Sequence, residues 1–381
     1  DVFAISSYYP LQYFNVPRML EMSGIPAWSK DRDGKNAPII MGGGISFYNA
    51  EPVSDFFDVF FIGEGEHKLL EILQICKECR LEDGSIDKEK YLFRLAKETD
   101  YMYVPSFYDV KYFTGFGVKE RTSKIPEAKP IIRRALCNIY ETEPLTRTFV
   151  PVCDSADMSI ASVEISRGCS ASCNFCEGSA RTMPLRERPL DVSLKAFDDV
   201  HKETGCFDTT PYGFNLSDHS NIRTMLRYLA KNQDVKIQMS SQRIDMFTED
   251  FAKLAYMTGN RSVTLAIEGG SQRLRDSVNK NLTTQQILEA FEIAMKVGFN
   301  KVKIYMIANL PFESCDDIDG TPNHLSADKK FGDVEYPDED AIEVEFEDGE
   351  KVIVSKNFVF EKRLGETTAD MLKPGMEVLY E

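Results

Sequence analysis

The chain has 381 residues, of which 43% are hydrophobic and 28% charged, and its formal net charge is −16. This length predicts two or three domains with ample apolar material to bury. The sequence lacks an apolar run of roughly 18 residues that could cross a membrane, and its negative charge disfavours nucleic acid or anionic membrane as a partner without excluding an RNA substrate.

The amino terminus, DVFAISSYYP, has no initiator methionine and no secretion signal, and we expect the chain to begin inside a strand. Nine cysteines, an odd number at uneven spacing, do not form the pattern of a disulfide framework. These features predict a soluble protein of the reducing cytoplasm.

Residues 1–95 alternate short apolar runs with helical patterns. The pattern predicts strands at 1–8, 38–41 and 56–62 and helices at 16–22 and 67–76. Strands separated by helices imply a parallel sheet that binds ligands at its strand ends. The glycines at 42–44 lack the spacing of a dinucleotide fingerprint, so we expect a tight turn there rather than a phosphate site.

Residues 96–160 are broken by prolines and predict a connecting segment with a few strands. From residue 161 strand-like and helix-like stretches alternate regularly. This alternation predicts strands at 163–166, 210–215, 235–240, 262–268 and 301–309, and helices at 191–203, 222–230, 249–257 and 284–297. Five such steps predict a partial (β/α) barrel, with its chemistry at the carboxyl ends of the strands.

Three cysteines, Cys169, Cys173 and Cys176, lie within the segment ISRGCSASCNFCEG. A zinc site usually takes four ligands, and neither cysteine nor histidine supplies a fourth one nearby. The small and polar residues between the cysteines offer no apolar face in which to bury them. Three close thiolates without a fourth partner suit an iron–sulfur cluster that keeps one iron open.

The motif Cys-x3-Cys-x2-Cys after the first strand of a barrel, with an aromatic residue before the last cysteine, resembles the radical S-adenosylmethionine (SAM) superfamily. Residues 264–283 and 301–314 resemble the fourth-strand and fifth-strand segments of that family. The resemblance implies a [4Fe-4S] cluster on Cys169, Cys173 and Cys176 that binds SAM. It also implies cleavage to a 5′-deoxyadenosyl radical, with electrons from a donor such as a flavodoxin or ferredoxin.

The resemblance suggests four further cofactor contacts. Phe175 would shield the cluster and lie near the adenine of SAM. Glu268 would contact the ribose or the amino-acid end, unless it is an ordinary strand-end carboxylate. Asn215 stands where many relatives have a Gly-Gly-Glu stretch, which is absent here, so it is a substitute ligand or a turn residue. Asn309, at the end of the fifth strand, would line the same cavity as Glu268.

Other polar and thiol residues carry weaker expectations. His219 is expected to be an exposed loop histidine, and Lys280 either matches a basic position of relatives or is a surface lysine. Cys76 and Cys79 are expected to be structural.

The segment 41–66, which ends in IGEGE, resembles the Rossmann-like domain that precedes the barrel in cobalamin-dependent radical enzymes and uncharacterised relatives. The Asp-x-His-x-x-Gly loop of many cobalamin binders is absent, and its place would lie upstream of Asp1. Cobalamin therefore stays open as a further cofactor. The expected function is a radical SAM enzyme; the alternatives are an inactive or truncated relative that serves as a binding module, and a cobalamin-dependent radical methyltransferase.

The last segment, residues 315–381, holds nineteen acidic residues against seven lysines and arginines. Alternating apolar and acidic residues predict a β-hairpin over 341–355. The end of this segment resembles the early strands of intein-type splicing domains, in which Cys315 would be the nucleophile. The segment departs from that pattern because Phe358 replaces the expected histidine and the closing His-Asn segment is missing. The alternative is an unrelated β appendage.

Together these expectations describe an α/β protein with four segments. They are a partial Rossmann-like, cobalamin-binding-type domain at 1–95, a connecting segment at 96–160, a radical SAM core at 161–314 truncated after its fifth strand, and a small acidic β tail at 315–381.

Overall fold

The structure is a computed structural model with side chains. It describes residues 1–32, 37–114, 117–142, 161–204, 208–231, 236–314 and 317, and four short strands between residues 341 and 368. Two compact units divide the chain. Unit 1 comprises residues 1–242 and 250–261, and unit 2 comprises residues 243–249 and 262–381.

A four-stranded sheet, called the front sheet below, forms the first part of unit 1. Its elements in chain order are β1 (Val2–Ser6), α1 (Asn15–Met22), β2 (Ile39–Gly43), β3 (Val59–Phe61), α2 (Leu69–Glu78), α3 (Lys88–Glu98) and β4 (Met102–Tyr103). The strand order is β1-β2-β3-β4, in which the first three strands are parallel and β4 is antiparallel to β3. The sheet includes β4 because the chain returns after α3 to add a fourth strand.

Alternation along the strands buries both faces of the front sheet. Ile39, Met41, Val59 and Phe61 pack in one core cluster with α2 and α3, including Cys76 and Cys79. Ile40 and Phe60 point to the other face and pack with α1. Side chains at successive strand positions point to opposite faces, so a sheet covered on both sides reads as a continuous apolar run.

The glycines at the end of β2 form the tight turn that the sequence predicts. Gly44 has φ 104°, and a Cβ there would lie 2.4 Å from the Ser7 carbonyl oxygen. Only glycine fits this left-handed position without displacing backbone.

A β-hairpin of β5 (Tyr108–Tyr112) and β6 (Val118–Ser123) follows the front sheet. The rest of unit 1 contains β7 (Ala161–Glu164), β8 (Ser166–Arg167), α4 (Glu177–Thr182), β9 (Arg186–Glu187), α5 (Leu190–Thr204), β10 (Asp208–Tyr212), α6 (Ile222–Leu229) and β11 (Lys236–Ile237). β7, β10 and β11 form a parallel sheet in the order β11-β10-β7, called the barrel sheet below. β8 and β9 form a short antiparallel ribbon.

Helix α7 (Glu249–Met257) precedes the strands of unit 2. These are β12 (Ser262–Glu268) and β13 (Lys301–Met306), with α8 (Gln272–Ser277) and α9 (Thr284–Val297) between them in the chain. β12 and β13 pair in parallel, with a register shift between Ala266 and Glu268. All five predicted strands of the core are present, and the predicted division of the chain into domains stays a prediction.

The tail contains two antiparallel hairpins, β14 (Ala341–Glu345) with β15 (Lys351–Ser355) and β16 (Val359–Lys362) with β17 (Gly365–Thr368). The first confirms the hairpin predicted over 341–355. Cys315 and Phe358, on which the splicing-domain hypothesis depends, lie outside the described residues. Across the described part of the chain, helices that combine the length and apolar composition of a membrane span are absent.

Candidate functional site: the cysteine loop and its surroundings

The three motif cysteines lie on one loop, residues 168–185, which β8 and β9 close at its base. Cys169, Cys173 and Cys176 have intermediate exposure. In contrast, the other described cysteines, Cys76, Cys79 and Cys137, are free but buried. Because the loop thiols are accessible and lie on one short loop, their donor set suits a cluster rather than a hydrophobic core.

The backbone of the cysteine loop is fixed by close contacts. Gly168 has φ 89°, and a Cβ there would lie 2.4 Å from the Pro184 carbonyl oxygen. The Ala171 N–H donates to the Cys169 Sγ at 3.4 Å, and the Cys176 N–H donates to the Cys173 carbonyl at 3.0 Å. Backbone donors to sulfur are the contacts that tune an iron–sulfur site.

Asn215 lies beside the cysteine loop. It is 5% exposed and follows β10, the strand that pairs with β7. Its Nδ2 donates to the Asp218 Oδ2 at 2.5 Å, and the Ser170 hydroxyl of the cysteine loop donates to the same oxygen. Asp218 thus connects the two loops, and the sequence reasoning missed it, although it stands only three residues after Asn215.

Two aromatic residues accompany Cys176. Phe175 is half-buried within the loop. Phe214, from the loop after β10, packs so closely on Gly178 that a Cβ on that glycine would lie 2.8 Å from the Phe214 ring and 3.6 Å from the Cys176 Sγ. Phe214 was also missed, and its position next to Asn215 is the signal that could have found it.

His219 is buried rather than exposed, so the expectation of an exposed loop histidine was wrong. It is 2% exposed, and its Nε2 lies 3.2 Å from the Ile165 carbonyl, just before the cysteine loop. The Asn221 N–H donates to the His219 Nδ1 at 3.1 Å, which leaves Nε2 as the protonated nitrogen. Burial lowers the pKa of His219 against the raising effects of Glu187 and the Ile165 carbonyl.

In unit 2, Glu268 ends β12 and pairs with a buried lysine. The Lys280 Nζ lies 3.3 Å from the Glu268 Oε1, and Lys280 is 7% exposed. Lys280 is therefore not a surface lysine, which corrects that alternative. Glu268 has φ 72°, a left-handed conformation that is uncommon for a residue other than glycine or asparagine.

Asn309 lies just beyond β13, the strand next to β12. It is exposed, has φ 60°, and its N–H donates to the Glu313 Oε2 at 2.5 Å. The Ile307 N–H donates to the Glu268 carbonyl at 3.0 Å, so both predicted residues lie at the same edge of the pair. Whether Phe175, Asn215, Glu268 and Asn309 contact a cofactor stays a prediction.

Two sequence models of one superfamily match the chain. The model described as "Radical SAM proteins, N-terminal" matches residues 1–105, and the model described as "Radical SAM superfamily" matches residues 163–324. The first ends just after β4, so it covers the front sheet. The second includes all three motif cysteines.

Two curated relatives are both named as uncharacterized. The uncharacterized protein MJ0966 of Methanocaldococcus jannaschii is 24% identical over 337 residues, which is 87% of this chain and 63% of that protein. The uncharacterized methyltransferase PH0819 of Pyrococcus horikoshii is 28% identical over 165 residues, 42% of this chain and 35% of that protein. The chain thus spans less than two thirds of the length of these relatives.

Solved structures share the fold at low sequence identity. The radical SAM methyltransferase TsrM from Kitasatospora setae has a TM-score of 0.56 and 14% identity, over 85% of this chain and 60% of that one. The cobalamin-dependent SAM radical enzyme OxsB has a TM-score of 0.51 and 16% identity, over 85% of this chain and 43% of that one. With both sequence models matching in order and this fold shared, the chain belongs to the radical SAM superfamily.

Proposed function

We propose that this chain binds a [4Fe-4S] cluster through Cys169, Cys173 and Cys176 and uses it to cleave SAM reductively. The observation that carries the proposal is the contrast among the described thiols: the three motif cysteines are accessible on one loop, and Cys76, Cys79 and Cys137 are buried. Membership of the family implies both cofactors. Three protein ligands leave one iron of such a cluster open for SAM.

The chemistry that this cofactor pair supplies when bound is one-electron cleavage of SAM to methionine and a 5′-deoxyadenosyl radical, which takes a hydrogen atom from a substrate. The chain's own residues position and shield it. The Ala171 N–H hydrogen-bonds the Cys169 sulfur, and the rings of Phe175 and Phe214 would exclude water from the side of Cys176.

Polar residues near the loop would hold the amino-acid end of SAM. The Asp218 carboxylate accepts hydrogen bonds from Ser170 of the cysteine loop and from Asn215. A carboxylate can accept hydrogen bonds from an ammonium group. We assign the role of the absent Gly-Gly-Glu stretch to Asp218, with Asn215 as its positioning residue.

The electron source and the compartment belong to the same proposal. A flavodoxin or ferredoxin would supply the electron, and the reducing cytoplasm would keep the thiols free. The described cysteines Cys76, Cys79 and Cys137 are free, which supports a reducing compartment.

The first prediction tests the ligands. Cys169→Ala, Cys173→Ala and Cys176→Ala should each lose the broad absorption at roughly 400 nm that thiolate-to-iron charge transfer gives after anaerobic reconstitution. Each should also lose formation of 5′-deoxyadenosine from SAM in the presence of dithionite. Cys76→Ala, which removes a thiol from the core beneath α2, is the control and should keep both. Retained absorption in all three loop variants contradicts the proposal, and a cluster without SAM cleavage favours the inactive relative.

A second candidate is cobalamin-dependent methyl transfer. Tyr8 follows β1 and Tyr212 ends β10, and their hydroxyls lie 3.1 Å apart. The carboxyl ends of the front sheet and the barrel sheet therefore meet, and ligands of such sheets bind at carboxyl ends. The titles of the TsrM and OxsB structures name bound cobalamin or dependence on it. Gel filtration after incubation with hydroxocobalamin distinguishes the candidates, because only the second requires the corrinoid to elute with the protein.

A further inference from the structure

The base of the cysteine loop brings two positive charges together. Arg167 of β8 and Arg186 of β9 are direct partners in the antiparallel register, and the three cysteines lie between them in the chain. Directly opposite residues of an antiparallel pair share one face, and like charges there are destabilising. The ribbon that closes the loop therefore needs a counter-ion.

Glu64 of the front sheet supplies that counter-ion. Its Oε2 accepts from the Arg186 Nη1 at 2.8 Å and from the Arg167 Nη1 at 3.3 Å, and its Oε1 accepts from the Arg186 Nη2 at 2.6 Å. The three side chains are only 12–16% exposed. The Glu64 carboxylate, which follows β3, thus bonds both arginines; Arg167 also pairs with Glu66 and Glu164.

The position of Glu64 is itself fixed. Gly63 has φ 129°, and a Cβ there would lie 2.3 Å from the Ala135 carbonyl oxygen. The Glu64 N–H donates to that carbonyl at 2.9 Å, and the Cys137 N–H donates to the Glu64 Oε2 at 2.9 Å. Burial raises the pKa of Glu64, but the bonds from Arg186 and Cys137 outweigh it, so the pKa lies below its usual range. The carboxylate is therefore ionised at neutral pH.

A metal site is the other interpretation of this cluster. The ligand atoms of Glu64, Glu66 and Cys137 all lie within 4.8 Å of one another. Both carboxylates, however, already accept from Arg167, whose Nη2 lies 2.5 Å from the Glu66 Oε1. A metal cation would lie against two guanidinium groups, so the charges favour an ion-pair network.

We propose that Glu64 is a positioning residue for the cluster: by balancing the charge of Arg186 at the base of the cysteine loop, it determines how firmly the loop holds the cluster. This inference rests on the proposed function. Closing the base of the loop fixes the spacing of the cysteines. The charge of Glu64 also offsets the positive charge of Arg186 at the base of the cysteine loop, and net charge is one of the factors that set a cluster's potential.

Glu64→Gln keeps the shape of the side chain and removes its charge. We expect this variant to lose the reconstituted cluster about tenfold more readily to a chelator, a typical effect of removing an outer-shell partner. We also expect its midpoint potential to shift in the positive direction, because the loss of the negative charge beside Arg186 favours the reduced cluster. The control is Glu78→Gln, which removes an exposed ion pair between α2 and Arg94 of α3. This variant should match the wild type.

A double variant separates charge balance from simple tethering. Glu64→Gln with Arg186→Gln removes one of the two facing arginines, and Arg167 keeps Glu164 at 2.7 Å and Glu66 at 2.5 Å. Charge balance predicts that the double variant regains cluster retention relative to E64Q. If Glu64 only tethers the front sheet, the double variant should be as poor as E64Q or poorer, and that result overturns the proposal.

Hydrogen exchange of the apoprotein tests the role of Glu64 without a bound cluster, and therefore independently of the proposed function. Amides of residues 168–185 should exchange faster in E64Q than in the wild type, and the double variant should restore their protection. If the wild type takes up no cluster, the proposed function fails and the exchange data still test Glu64. If E64Q matches the wild type in exchange, cluster retention and potential, the positioning role of Glu64 is excluded.

Discussion

Glu268 combines an unfavourable backbone conformation with a buried ion pair. A left-handed φ of 72° at a residue of this type costs on the order of 1–3 kcal/mol and persists only where the surroundings enforce it. The Lys280 ammonium at 3.3 Å and the β12–β13 register shift enforce it here. Strain of this kind clusters at ligand sites, so Glu268 stays a predicted cofactor contact.

His219 should make unit 1 less stable in mild acid. Its pKa in the folded protein lies below the unfolded value of about 6.5, so the unfolded chain binds the extra proton first. The contribution of His219 to the free energy of unfolding is fully present above pH of about 6.5 and is lost as the pH falls below it. One proton changes this free energy by no more than about 1.4 kcal/mol per pH unit. Urea denaturation between pH 5 and 7.5, followed by the fluorescence of Trp28, the single tryptophan, measures this in unit 1.

His219→Gln should reduce the pH slope in that experiment. The matched control is His67→Gln, because His67 is an exposed histidine of the same unit. An unchanged slope in His219→Gln would show that other groups cause the acid sensitivity.

Residues within and next to helix α9 determine where the helix begins and ends. The Thr283 side chain accepts from the Gln286 N–H at 3.1 Å, the Gln286 Oε1 accepts from the Thr283 N–H at 2.9 Å, and Gly298 ends the helix with φ 98°. Such a capping box followed by a left-handed glycine specifies both ends of a helix from sequence.

Thr283→Ala should destabilise the first turn of α9 by about 1 kcal/mol, the usual cost of a lost cap. Hydrogen exchange of the amides at 285–288 measures this locally, which suits a chain of two units that need not unfold together. Gln285→Ala, at an exposed position one residue into the helix, is the control and should cost only a few tenths of a kcal/mol. Equal protection of these amides in Thr283→Ala and wild type would contradict the prediction.

Local signals explain which elements were predictable. α7, β12 and α9 have the predicted bounds, because the periodicity that specifies them lies within each segment, and α9 also carries caps at both ends. The strand predicted at 235–240 shortens to Lys236–Ile237, since pairing with β10 determines where a strand ends. β4 is two residues long and exists only through its pairing with β3.

In the candidate site, too, local patterns were predictable from sequence and contacts between distant residues were not. The spacing of Cys169, Cys173 and Cys176 is a local pattern, so it was readable in the sequence. The contact of Ser170 with Asp218 spans 48 residues, and that of Glu64 with Arg167 spans 103. No local pattern reports such contacts, which depend on the pairing of β7 with β10 and on the path of the chain from the front sheet.

At the scale of the whole molecule, the tail is the segment that family membership does not explain. The radical SAM model ends at residue 324, and the hairpins begin at Ala341. We expect the chain to remain intact during long incubation with a small thiol, because Phe358 replaces the histidine that would polarise the peptide bond before Cys315. Intact-mass measurement tests this, with Cys315→Ala as the control. A fragment ending at Ser314, absent from the control, would instead establish a splicing-type thioester.

The strand order of the front sheet has a consequence for how the chain is made. β1, β2 and β3 pair in the order in which they leave the ribosome, so this sheet can form early in synthesis. Arg186 follows Glu64 by 122 residues. Until that arginine has emerged, the nascent chain carries Glu64 as a hydrated anion beside a finished sheet. The cysteine loop can then close onto a front sheet that is already folded.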